Sequence, residues 1–124
     1  MLRQQVWAKA ALEQVTKRKN GAMESKFSTL CMKTPNLIHA SGLAQGLTFL
    51  LARDQQTGKD YLQALATVLR AADPNRPADG TALQKLAVET LDLSAYMALT
   101  RDVMAAAVWL RRFAKTELKL DADA

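Results

Sequence analysis

The residues with chemical reach in this chain are few. His39 is the only histidine and Cys31 the only cysteine; Ser41 lies two positions after His39, and Asp54 further along. A nucleophilic triad needs its members in contact, which spacing of this kind does not establish, and a zinc site takes three or four ligands, more nitrogen and sulfur donors than one His and one Cys supply. The carboxylates are scattered over positions that helix faces and caps explain, so no acid–base pair stands out. The expectation is therefore a chain with no catalytic residue, no metal and no cofactor, and hence no enzyme. Cys31, among Phe27, Leu30 and Met32, suits a small buried hydrophobe better than a reactive thiol, which needs an electropositive and partly exposed site. Gly42 and Gly46 form neither a Gly-x-Gly-x-x-Gly nor a P-loop pattern and follow no strand, which argues against nucleotide binding.

The remaining chemistry is the holding of anions. Arg111, Arg112 and Lys115, with Arg101 and Lys119, fall on one side of a helical pattern whose other side carries Val103, Ala106, Trp109, Leu110 and Phe113. The acids of that segment, Asp102 and Glu117, project nearer the apolar side, so one edge is strongly basic where a face kept only for solubility mixes both signs. The planar fork of arginine can donate bidentately to phosphate, and the stems of Arg111 and Lys115 can also cover apolar surface, which leaves protein contacts open. A second group, Lys17, Arg18 and Lys19 with Lys26 beyond it, rests on charge alone. Lys17 to Lys19 also lie in a last helical turn, where cations complement the helix dipole, so capping competes with anion binding as their explanation.

Helices must position these groups. Trp7, Ala8, Ala11, Leu12 and Val15 recur at three- and four-residue intervals over residues 2–19, and Asn20-Gly21 ends that pattern. A second helix is read over 22–33, stopped by Thr34-Pro35, with Thr34 capping a third over 35–53 that is apolar nearly all round and so central. Gly42 and Gly46 then mark either a close backbone approach or a kink beside Ser41. A polar turn at 54–58 leads to an amphipathic fourth helix ending near Ala72, and residues 73–80 form a loop rich in Asp, Pro and Gly. Thr81 is read as the cap of a fifth helix carrying Leu83, Leu86, Ala87 and Leu91; residues 92–99 continue it or form a separate turn. Thr100 is read as the cap of the last helix, with Asp102 in its first turn. No alternating β-branched run and no internal repeat occurs.

The whole is an all-α reading: a compact single-domain bundle of about five to seven helices over residues 1–120, with a frayed acidic tail at 121–124. The 124 residues suit one domain, and 49% hydrophobic residues with only 6% aromatic favour side chains that lose little freedom in a helix. No apolar run approaches the roughly 18 to 20 residues that cross a bilayer, and residues 3–5 lead into no signal-peptide core, so a cytoplasmic protein without membrane partners is expected. A formal net charge of +5 favours a polyanionic partner without naming one.

Two segments together carry a resemblance. The run from Pro35 to Leu50, entering through the proline and carrying Gly42-Leu43 before an apolar stretch, and the ordered set Tyr96, Thr100 and Trp109-Leu110-Arg111-Arg112-Phe113-Ala114-Lys115 resemble the small-subunit family of the type III-B CRISPR effector, the Cmr complex. Ser41 stands where the family more often has Asn, and Asp102 where it more often has Glu. The resemblance implies a non-catalytic helical subunit of an RNA-guided RNA-targeting complex in antiviral defence. Its implied partners are the other subunits, especially the repeated backbone subunit, together with copies of itself and guide and target RNA. Arg111, Arg112 and Lys115, inside the matching motif, would neutralise phosphates while base pairing supplies specificity; Lys17, Arg18, Lys19 and Lys26 are further candidates. Competing readings are the small subunit of the related type III-A complex, a protein-binding accessory module, and a DNA-binding regulator, which needs two short helices joined by about three or four residues with base-reading side chains on the second.

Overall fold

A computed structural model describes residues 2–118 apart from residue 54 and the side chains of residues 53 and 55. Six helices and no strand occur among them: α1 (Arg3–Arg18), α2 (Glu24–Ser41), α3 (Leu43–Arg53), α4 (Gln55–Ala72), α5 (Gly80–Glu89) and α6 (Leu93–Glu117). None of the described helices is long and apolar enough to cross a membrane. Asp54, Lys119 and the acidic tail expected at 121–124 lie outside the described residues.

α1 matches its sequence pattern closely. Trp7, Ala10, Ala11 and Val15 are buried, and Asn20, at φ 64°, turns the chain after the helix, a conformation that Asn tolerates better than most residues. The proline reading fails. α2 runs unbroken through Pro35 and ends at Gly42, whose φ of 85° favours glycine. Thr34 does not cap a new helix; its hydroxyl donates to the Leu30 carbonyl at 2.7 Å. The helix persists because Phe27, Cys31, Thr34, Pro35 and Ile38 form one buried face, and packing that face outweighs the single backbone bond that proline removes.

The central helix is α4, which packs against all five others. Tyr61, Leu62, Ala64, Leu65, Ala66, Val68 and Leu69 are all buried, so the helix is enclosed on several sides where the sequence suggested a single apolar face. It also begins earlier than expected and takes in Gly58, read as part of a turn. The Leu50 carbonyl lies where a β-carbon on Gly58 would stand. α3, in turn, buries Leu43, Gly46, Leu47 and Leu50 and exposes Phe49.

Two caps also differ from expectation. Asp79, not Thr81, caps α5, accepting from the Ala82 amide at 2.8 Å. Asp92 caps α6, accepting from the Ala95 amide at 2.9 Å, so the last helix starts well before Thr100, whose hydroxyl donates to the Tyr96 carbonyl within it. The Tyr96 hydroxyl accepts from the Ala44 amide at 2.9 Å, satisfying a backbone donor in the first turn of α3.

Cys31 and Tyr61 sit fully inside the core, and burial pushes both the thiol and the phenol above their ordinary ranges. Each is therefore held neutral when folded. A group whose folded pKa is raised contributes stability that is complete below its unfolded pKa and is lost as pH climbs toward the folded one. Stability is thus expected to begin falling above about pH 8.5, where an unfolded thiol ionises, and to fall faster above about pH 10, where the phenol joins it. Urea midpoints between pH 7 and 11 check this. Cys31→Val should remove the first step and leave the second.

Candidate nucleic-acid interface

The basic edge is assembled from three helices. α1 runs alongside the second half of α6 in the same direction: Arg3 lies 3.7 Å from Asp102, the Trp109 indole donates to Gln4 at 2.7 Å, and Lys19 lies 3.6 Å from Glu117. The C-terminal ends of α1 and α6 therefore meet, and a short turn brings the start of α2 to the same end of the bundle. Lys17 and Lys19 at the end of α1, Lys115 in the last turn of α6 and Lys26 in the first turn of α2 belong to this end, whereas Arg112 lies further back along α6, beside Trp109.

Three of the described acids near these cations are engaged. Asp60 takes the Arg18 guanidinium through both oxygens at 2.8 Å, and Arg18 also donates to the Gln14 carbonyl at 2.9 Å and lies over the Phe27 ring at 4.6 Å. Glu117 holds Lys19, and Glu24 accepts from the Asn20 amide. Of the seven candidate cations, Arg18 and Lys19 thus serve the fold. Lys17, Lys26, Arg111, Arg112 and Lys115 pair with no carboxylate among the described residues.

These five are not equivalent. Lys17, Lys26, Arg112 and Lys115 are exposed, whereas Arg111 is half-buried, close enough to the core for its charge to act on Tyr61. Arg112 lies over the Trp109 ring, 5.0 Å from its centroid, and Trp109 stacks on Phe113 at 5.7 Å and 20°. Both aromatics are half-buried against the core, and Val103, Ala106 and Leu110 lie within it.

The residues weighed for catalysis do not converge. Cys31 is buried and His39 exposed, and no three His, Cys, Asp or Glu side chains come together in a metal-binding group among the described residues. Leu91, expected on the buried face of α5, lies past its end and is 92% exposed, with Val88, Leu93 and Met97 exposed beside it. The Leu91-Asp92-Leu93 run held the signal: an aspartate that caps a helix leaves the residue before it outside that helix.

Fold and surface define a small all-helical bundle with five surface cations that pair with no carboxylate among the described residues. Residues 3–117 match the family described as CRISPR-associated protein (Cas_Cmr5). The chain is 34% identical over 113 residues to the CRISPR system Cmr subunit Cmr5 of Thermus thermophilus, covering 91% of this chain and 93% of that protein. It also superposes on the crystal structure of a CRISPR-associated Cmr5 family protein from the same organism with a TM-score of 0.86, over 96% of this chain and 100% of that one. The chain belongs to the Cas_Cmr5 family of CRISPR-associated proteins.

Proposed function

We propose that this chain is the small non-catalytic subunit of a type III-B CRISPR RNA-targeting (Cmr) complex, acting in the cytoplasm as one helical domain packed beside the repeated backbone subunit and copies of itself. Its basic surface lies against guide and target RNA and neutralises backbone phosphates without reading bases. Membership of the complex draws on the likeness to the Thermus thermophilus relative, a Cmr subunit. The RNA contact rests on one observation: five cations on three helices, four exposed and one half-buried, pair with no carboxylate among the described residues. Charges left without internal partners at the surface are available to a polyanion. Arg111, Arg112 and Lys115 are the leading contacts, Lys17 and Lys26 follow, and Arg18 and Lys19 contribute less because each already holds a carboxylate.

The DNA-reading alternative is weaker. α5 and α6 are joined by residues 90–92 alone, the right length for a helix-turn-helix, but the first turns of α6 expose Leu93 and Met97 where base-reading polar side chains are needed.

Binding of a single-stranded RNA oligonucleotide across a salt series tests the contact. Each phosphate neutralised adds about 0.7 to the slope of log affinity against log salt. Replacing Arg111, Arg112 and Lys115 together by glutamine is expected to flatten that slope by about two, with far-ultraviolet circular dichroism unchanged. A folded triple variant with the wild-type slope defeats the RNA reading.

A further inference from the structure

Arg112 is held more firmly than the other exposed cations of α6. Its guanidinium lies over the Trp109 indole, the indole is braced by Phe113 one turn on, and its N–H is fixed by Gln4 in the first turn of α1 at 2.7 Å. The neighbouring Arg3 lies 3.7 Å from Asp102 on α6. Two helices thus set the plane of one aromatic ring, and that ring gives an exposed arginine a surface to lie on. A guanidinium resting on a ring keeps its N–H groups directed outward in its own plane, the arrangement a bidentate phosphate contact requires, and it loses less freedom on binding than a free side chain does.

We infer that Trp109 is a positioning residue for Arg112, with Gln4 setting the ring, and that the pair presents a preformed fork to a phosphate of single-stranded RNA; this rests on the RNA reading above. The consequence is coupling. If the indole acts through Arg112, removing the ring matters only while the arginine is present, whereas a ring that merely supports the fold matters equally in both backgrounds.

The test is a double-mutant cycle on the full chain with a single-stranded polyuridine oligonucleotide at low salt. Arg112→Gln and Trp109→Leu are each expected to weaken binding by about two- to fivefold, the size of an exposed cation–π contact, and Trp109→Leu is expected to add nothing in the Arg112→Gln background. Trp109→Phe, which keeps a ring but lacks the N–H that Gln4 accepts from, should lose no more affinity than Gln4→Met does. Gln4→Met, at an exposed position and so safe for the fold, should weaken binding about twofold if the ring is set from α1. Additive losses, or wild-type affinity in both Trp109→Leu and Gln4→Met while Arg112→Gln is impaired, overturn the positioning role and leave the RNA reading standing. No binding by the wild-type chain, or wild-type affinity in Arg112→Gln, overturns the reading of Arg112 as an RNA contact and this inference with it.

Discussion

Gly80→Ala is expected to cost this protein about 3 kcal/mol or more, at or beyond the upper end of the range for overpacking a core. Gly80 opens α5 with its backbone laid against α4; an added β-carbon would stand 2.7 Å from the Leu62 carbonyl carbon and 2.8 Å from the Gln63 amide nitrogen. Those are backbone atoms of the helix that touches every other helix, so no side chain can swing aside to make room. The helices must separate instead. For a domain of this size the melting temperature should fall by roughly 10 to 15 °C. Gly21→Ala is the control: Gly21 is exposed, and its added carbon meets only the Arg18 carbonyl, at 3.2 Å, so a much smaller change is expected there. A Gly80→Ala protein melting within about 2 °C of the parent, under 1 kcal/mol at this size, would show that α5 is free to shift on α4.

Neither this glycine contact nor that at Gly58 was visible in the sequence, where both glycines read as loop or turn. The chain spacing of apolar residues reports which face of a helix is buried, and it located α1 and the all-helical class well. It does not report which backbones touch. Threonine misled in the same way three times: Thr34, Thr81 and Thr100 all precede helical patterns, but Thr34 and Thr100 return their hydroxyls to carbonyls four residues back inside a helix, and Asp79 caps the helix assigned to Thr81. A hydroxyl can cap a helix or bond back within one, and local sequence does not decide between them. Pro35 is the same lesson with larger stakes, since a buried face of five residues carried the helix through it.

The candidate site was legible in its membership and illegible in its pairing. Arg111, Arg112 and Lys115 are recognisable because they share one helix edge. That Arg18 is held by a carboxylate 42 positions away depends on how α1 crosses α4, which no local pattern encodes, and the same holds for Lys19 and Glu117. Charge counted along a chain therefore overstates the charge available to a partner. The structure reduces seven candidates to five, and it adds Gln4, which carries no charge by which a sequence pattern could mark it.

Asp102→Ala carries the second large expected effect. The Asp102 side chain is 12% exposed in α6, and the Arg76 guanidinium from the loop between α4 and α5 donates to it at 2.8 Å, with Arg3 at 3.7 Å on the other side. Arg76 is itself largely covered, and its Nε has no hydrogen-bond partner, so removing Asp102 leaves it a more distant acid, Asp73, at 3.9 Å. An ion pair broken from one side costs more than the pair contributes, because the surviving charge stays buried without its partner. A loss of about 3 kcal/mol is expected, somewhat below the fully buried case because Arg76 retains some solvent. Removing the charge at both ends should be gentler: the Arg76→Met, Asp102→Ala double variant is expected to recover at least about 1 kcal/mol relative to Asp102→Ala alone, since methionine keeps the apolar stem without the charge. Urea denaturation of the parent, the two single variants and the double variant measures this directly. A double variant less stable than Asp102→Ala would mean that Arg76 stabilises the loop through its own packing, and that the pair with Asp102 is incidental to it.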